Sequence, residues 1–174
     1  GRTHAVEWVT SRNMDDVEDG RVEVIGPDLD QIKPPAQLPL AIVAEVAGRQ
    51  MQEDFEPILE RQIHHLINYA QGIMHIGQRD IAWLRVGKGA VDKGFKLSHL
   101  GKILYAKFHQ DFGAIFDKVQ VKVYTDKEKV DEMLQKARDV YKKRDARIEG
   151  MTDETTDIFY SCTLCQSFAP SHVC

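Results

Sequence analysis

Residues 38–47 read Leu-Pro-Leu-Ala-Ile-Val-Ala-Glu-Val-Ala, a nearly unbroken apolar run. An alternating strand can leave one face in water, but a continuous one cannot, so this run suits a central strand covered on both faces. It falls far short of the ~20 apolar residues that cross a bilayer and is interrupted by Glu45, so no membrane segment is expected. A chain of 174 residues is one domain, or one domain with an appendage. At this size it buries roughly 70% of its unfolded surface and needs no disulfide to fold. With 43% hydrophobic and 29% charged residues it is not a wholly disordered chain.

Around the apolar run the pattern alternates between strand and helix. Residues 4–10 and 21–26 alternate apolar with polar, as half-buried strands do, and read as hairpin-like. Residues 54–70 place Phe55, Ile58, Leu59, Ile63, Leu66, Ile67 and Ala70 at helical spacing, with Asp54 as N-cap. A strand follows over 81–86, then a loop at Gly87-Lys88-Gly89. Leu97, Leu100, Leu104, Phe108 and Phe112 mark a second helix. Residues 118–124 put Val119, Val121 and Val123 on one face of a strand whose other face is expected to be wet. Thr125 and Glu128 match a capping box for a third helix running to about Ile148, and Gly150 ends it. The fold expected is α+β, a mixed sheet with three main helices packed on it. A polar linker over 151–157 closes the domain at residues 1–157, and residues 158–174 begin a second unit.

Charge is uneven within a formal net charge of -4. Residues 1–60 carry 13 acidic and 5 basic side chains, whereas residues 79–107 carry 7 basic ones against Asp80 and Asp92. A basic centre in an acidic chain suggests a local anion site rather than a nucleic-acid-binding face. Solvated lysines are the bland alternative.

All three cysteines fall in the last thirteen residues: Cys162, Cys165 and Cys174. An odd count without secretory features argues for reduced thiols in a cytoplasm. The missing initiator methionine and the terminal cysteine look like cuts in a longer polypeptide. Cys-x2-Cys can wrap one corner of a metal site. A cubane iron–sulfur cluster needs four thiolates and a structural zinc four sulfur or nitrogen ligands. Spacing alone leaves four readings open: an iron–sulfur cluster, a zinc site completed by His172, a redox dithiol at Cys162 and Cys165, or three unrelated core cysteines. The five histidines from His64 to His109 are read as packing or surface residues, not ligands.

The whole string says more than its spacing. Cys-Thr-Leu-Cys-Gln-Ser-Phe-Ala-Pro-Ser-His-Val-Cys, residues 162–174, closely resembles the first cysteine cluster of the acetyl-CoA synthase family, nickel enzymes that work with carbon monoxide dehydrogenase. Residues 72–86 and 95–112 also resemble that family's middle domain. The resemblance implies a middle domain followed by the truncated start of a nickel–iron–sulfur domain. Such enzymes condense carbon monoxide, a methyl group from a corrinoid iron–sulfur protein and coenzyme A into acetyl-CoA. Their centre joins a [4Fe-4S] cubane to two nickel ions. By this match Cys162 and Cys174 are cubane ligands and Cys165 bridges the cubane to the substrate-binding nickel. Phe168 lies beside that nickel and controls access. Soft thiolates suit iron–sulfur and low-valent nickel. The family's fourth cubane cysteine and its Cys-Gly-Cys motif do not occur in these residues, so the chain by itself is expected to be inactive.

The basic segment gains meaning from the same resemblance. Coenzyme A carries phosphates and an adenine. Arginine offers bidentate phosphate contacts, and an indole can stack on the base. Trp83 between Arg79 and Arg85 supplies both. On a strand Trp83 and Arg85 share one face, as would Arg79 and Ile81 if the strand began earlier. The partners implied are the carbon monoxide dehydrogenase subunit, the corrinoid protein, ferredoxin and coenzyme A. The rival expectation is an interaction module that docks ferredoxin or the corrinoid protein. A small zinc protein is a third.

Overall fold

The computed structural model describes residues 3–152, with side chains from residue 5 onward. Six strands form one mixed sheet in the order β2-β6-β3-β1-β5-β4. These are β1 (Thr3–Ser11), β2 (Val22–Ile25), β3 (Leu40–Ala47), β4 (Ile73–Ile76), β5 (Ala82–Val86) and β6 (Lys118–Tyr124). The helices are α1 (Glu56–Ile67), the short α2 (Lys88–Asp92), α3 (Leu97–Phe112) and α4 (Lys127–Glu149). The α+β fold with a mixed sheet and three main helices is as expected.

The apolar run becomes β3, buried at every one of its positions. Its even-numbered residues Leu40, Ile42, Ala44 and Val46 join the core beneath α1 and α3, with Leu59, Ile63, Leu100, Leu104 and Phe108. Ala41 and Val43 face the other way, into a smaller core with Val130, Met133, Ala137 and Tyr141 of α4. The sheet is therefore the middle of three layers. The helical stripes read from the sequence are the faces that pack: Leu97, Leu100, Leu104, Phe108 and Phe112 of α3 are all buried.

Several local expectations are overturned. The two early strands are no hairpin: β1 lies between β3 (parallel) and β5 (antiparallel), while β2 runs parallel to β6 at the far edge. β1 is thereby a central strand, so the polar member of its alternation, Glu7, is 0% exposed. β6 has no wet side. Gln120 is buried beneath the first loop, its amide donating to the Asp16 carbonyl and its oxygen accepting from Glu18 N–H. Lys122 pairs with the buried Glu45 at 2.8 Å. Asp54 does not cap α1, which follows a 3-10 turn at Glu53–Phe55 and has no side-chain cap. Asp54 instead pairs with Arg147 of α4. Asp126, not Thr125, caps α4 by accepting from Lys129 N–H. The Thr125 hydroxyl donates to the Pro27 carbonyl at 2.7 Å. The loop expected at Gly87-Lys88-Gly89 opens α2, and residues 73–76, unassigned from sequence, form β4. The boundary at residue 157 lies outside the described residues.

The charged outer face of α4 is not simply solvated. Arg138 reaches Asp80 at 2.9 Å and Arg144 reaches Glu60 at 3.0 Å while also donating to the Val9 carbonyl. Arg144 thus bridges α4, β1 and α1 past the sheet. Glu60 is 3% exposed, and removing its cation leaves a buried carboxylate without its ion-pair partner and with the Val9 N–H as its remaining hydrogen bond, an arrangement that costs roughly 3–5 kcal/mol. Arg144→Met is expected to destabilise the fold by about 3 kcal/mol in urea titrations at pH 7. The loss should shrink as pH is lowered, because burial already raises the Glu60 pKa and protonation relieves the unpaired charge.

Candidate ligand site and the buried carboxylate cluster

Strand alternation places Ala82 and Leu84 of β5 in the α1–α3 core and turns Trp83 and Arg85 to the opposite face. These two share a face as expected. They do not lie in a core: Trp83 is 42% exposed, and its neighbours across β4, Ile76 and Met74, are 57% and 55% exposed. With Ile81, in the turn before β5, they form an apolar surface that α4 leaves uncovered.

Arg79 departs from its expected place. Residues Arg79–Ile81 form a 3-10 turn, with Arg79 at φ 55, so they do not extend the strand. Gly77, at φ 89, makes the preceding bend. A Cβ there would stand 2.6 Å from the Ile81 carbonyl oxygen, so only glycine fits. The turn aims Arg79 at α4. Its guanidinium donates to both Asp145 oxygens, at 3.0 and 3.3 Å, and sits 4.9 Å from the centre of the Tyr141 ring. Arg79 is therefore a clamp between the turn and α4.

The Arg85 side chain, by contrast, has no ion pair or hydrogen bond among the described residues. It is among the residues that line a cavity of about 550 Å3, together with Lys88 and Asp92. The walls are apolar: Leu29, Ile32 and Leu38 from the segment before β3, Leu84 of β5, Val91 of α2 and Leu97 of α3. Asp28 pins two of these walls together. One carboxylate oxygen accepts from Leu29 N–H at 2.6 Å and from Leu97 N–H at 2.7 Å, and the other accepts from Ser98 N–H at 3.3 Å. The pocket is thus held open by hydrogen bonds. Nothing in the local pattern announced it, since its walls come from segments some fifty residues apart. Lys88 entered the sequence reading only through the local excess of basic residues.

A second group of polar side chains lies under the sheet and was not foreseen. Glu7 of β1 and His75 of β4, the strands on either side of β5, meet on the α1 face of the sheet, and the Glu7 carboxyl contacts His75 Nε2. His75 Nδ1 is 3.2 Å from His64 Nδ1, on α1. Burial, and secondarily the charge of nearby Glu60, push the Glu7 pKa up to about 9. Burial, and secondarily His64, push the His75 pKa down to about 4. Both groups are thus neutral at pH 7. In that state the Glu7 O–H is the donor available to His75 Nε2, which leaves the His75 Nδ1–H to face His64. The remaining Glu7 oxygen has no partner among the described residues, a cost far smaller for a neutral acid than for a carboxylate. The signal that could have exposed this cluster is Glu56 and Glu60 at i, i+4 on the same helix as the apolar stripe of α1, with Glu7 inside a strand.

Cys162, Cys165, Phe168 and Cys174 lie outside the described residues. Among the described residues no group of three or more His, Cys, Asp or Glu side chains is arranged to hold a metal ion. No helix among them is long and apolar enough to cross a membrane.

Comparison with known proteins shows the family. Residues 1–130 match the family model described as CO dehydrogenase/acetyl-CoA synthase complex beta subunit, and residues 141–174 match one for the C-terminal part of the ACS/CODH beta subunit. The chain is 55% identical over 173 residues to the carbon monoxide dehydrogenase/acetyl-CoA synthase subunit alpha of Moorella thermoacetica, covering 99% of this chain and 24% of the relative. It is 49% identical over 160 residues to the acetyl-CoA decarbonylase/synthase complex subunit beta of Methanopyrus kandleri, covering 92% of this chain and 34% of the relative. The chain belongs to the CO dehydrogenase/acetyl-CoA synthase complex beta subunit family. It spans about a quarter to a third of the length of these relatives.

The neutral Glu7–His75 pair gives stability a pH signature. The folded state holds a Glu7 proton that the unfolded chain releases above the ordinary value of 4.5, so this contribution falls as pH rises from 4.5 through about 9. The unfolded chain gains a His75 proton below 6.5 that the folded state refuses until about 4, so stability also falls as pH drops through that window. Above pH 6.5 the opposing His75 contribution is gone and the Glu7 slope remains, at most about 1.4 kcal/mol per pH unit from that group. Urea midpoints are expected to fall between pH 6.5 and 9, and Glu7→Gln, whose amide can still donate to His75, should flatten that fall.

Proposed function

We propose that this chain is part of an acetyl-CoA synthase, an acyltransferase condensing carbon monoxide, a corrinoid-borne methyl group and coenzyme A into acetyl-CoA. The reading is supported by family membership, by relatives whose names carry acetyl-CoA synthase and decarbonylase/synthase, and by the cysteine string. On this reading residues 1–157 contribute coenzyme A binding, and residues 158–174 contribute Cys162 and Cys174 to a [4Fe-4S] cubane and Cys165 as the bridge to nickel. Phe168 restricts access to that nickel. Thiolate donors fit these soft metals, and the centre when bound supplies carbon–carbon and thioester bond formation. The chain alone, three thiolates strong, is inactive. It works in the cytoplasm beside a carbon monoxide dehydrogenase subunit, with the corrinoid protein and ferredoxin as transient partners.

The observation that carries the coenzyme A assignment is Arg85. It is exposed, without an ion pair among the described residues, on the same face as the open indole of Trp83 and among the residues that line the cavity. Arg79 contributes to the field, but its guanidinium is already held by Asp145. Charge-assisted hydrogen bonds to phosphate contribute roughly 1.5–3 kcal/mol each. In a Trp8→Phe background, coenzyme A is expected to quench Trp83 fluorescence. Arg85→Ala should weaken binding about tenfold, and Arg79→Ala should weaken it less. An unchanged signal with equal binding after both substitutions overturns the assignment.

The metal assignment has its own measurement. Anaerobic reconstitution of the polypeptide extended past Cys174 is expected to yield iron and nickel, with nickel lost in Cys165→Ser. Stoichiometric zinc without iron defeats it.

One observation favours a second role for the same face. Met74, Ile76, Ile81 and Trp83 form an uncovered apolar surface of the kind that marks protein contacts, consistent with docking of ferredoxin or the corrinoid protein.

A further inference from the structure

We propose that the cavity beside Arg85 seats the adenosine diphosphate end of coenzyme A, leaving the pantetheine arm free to run out over the Trp83 face. This rests on the reading that coenzyme A binds at Arg85 and reverses one part of it: the adenine lies in the cavity instead of on Trp83.

The two faces of β5 differ in shape. Around Trp83 the sheet is open, with Ile76 57% and Ile81 62% exposed, and offers a base contact on one side only. The cavity, at about 550 Å3, is within the roughly 300–1,000 Å3 range of small-molecule sites, and like them it is mostly apolar with few polar groups. A purine is a flat, weakly solvated plate. Leu29, Ile32, Leu38, Leu84, Val91 and Leu97, drawn from three separate segments, give it apolar contact that the open face around Trp83 lacks. The Asp28 carboxylate, bonded to both Leu29 and Leu97 N–H groups, holds the loop wall against α3 before any ligand arrives.

Charge completes the fit. The phosphates of coenzyme A cluster around one ribose, and the cavity lining includes two exposed cations, Arg85 and Lys88, neither with a side-chain ion pair among the described residues. Asp92, also in the lining, opposes phosphate but can accept from the ribose hydroxyl or the exocyclic amine. Polarity sets the direction of binding. The thiol must reach the reacting centre, so the nucleotide is the end that can be buried, and a cavity holding the arm would withdraw the thiol from its partners.

Calorimetric titrations of this chain with coenzyme A, adenosine 3′,5′-bisphosphate and pantetheine test the proposal. Val91→Trp fills the cavity from α2, where Val91 is half-buried, and Lys88→Ala removes an exposed cation with no structural partner among the described residues. Both are expected to weaken coenzyme A and the bisphosphate about tenfold or more while leaving pantetheine unchanged. Circular dichroism checks the fold of each, and Lys88→Ala carries the result should Val91→Trp misfold. If coenzyme A binds the unmodified chain and neither variant weakens the bisphosphate, the cavity assignment is overturned while the Arg85 reading stands. Selective loss of pantetheine reverses the orientation and also overturns it. Failure of coenzyme A to bind the unmodified chain removes the underlying reading and this proposal with it.

Discussion

The burial of β3 on both faces is the constraint from which the architecture follows. None of its residues reaches solvent, so helices must cover the sheet above and below. The chain meets this by sending α1 and α3 to one side and α4 to the other, which splits the apolar residues into two cores of unequal size. β1 pairs along the length of β3, from Ala5 opposite Leu40 to Ser11 opposite Val46, and inherits the same double burial. A layered sheet of this kind stays together only if its outer layers are also tied to one another. Arg144 does this between α4 and α1, and the Tyr141 hydroxyl donates to the Glu7 carbonyl between α4 and β1.

Double burial of β1 explains the state of Glu7. A carboxylate there would be desolvated and would face Glu60, another acid, whose nearest cation Arg144 is already committed. Protonation is the cheaper solution. It also requires a neutral acceptor, which the buried His75 provides because burial disfavours its own charge. Each group's neutrality depends on the other's, and His64, only half-buried, is the one member of the chain of contacts that meets water.

What was legible in the sequence were the features set by periodicity. The stripes of α1, α3 and α4 and the apolar run of β3 are one-dimensional patterns that survive folding. What was not legible depends on which segments become neighbours. Gln120 looked solvent-facing because nothing in residues 118–124 says that the first loop will cover it. Asp54 and Asp126 each stand beside a helix start with similar local chemistry, and tertiary contact separates them: Arg147 takes the first, while the second caps α4. Arg79 lay two residues from a strand start, yet the Gly77 bend turns it toward α4. The cysteine string was legible from its letters instead of its geometry, and its residues lie outside those described. The cavity was the least legible feature, because residues 29–38, 84–92 and 97 carry no shared motif and meet only after the sheet has formed.

β5 joins the buried and the open sides of the sheet. It is one strand from the β4 edge, close enough to solvent to expose Trp83 and deep enough to bury Leu84. It therefore acts as a partition, with consecutive residues serving the cavity and an open apolar face, and with Arg85 near its end among the cavity's lining residues. The turn that precedes it is clamped to α4 through Arg79–Asp145 and Arg138–Asp80, so the partition is fixed at one end by ion pairs. Its other end passes through Gly87, whose N–H donates to the Gly72 carbonyl at 2.8 Å, straight into α2 and Lys88. A ligand spanning both faces would then bind a frame that needs no rearrangement. Most of the entropy of positioning Arg85 relative to Trp83 has already been spent in folding the strand that carries them.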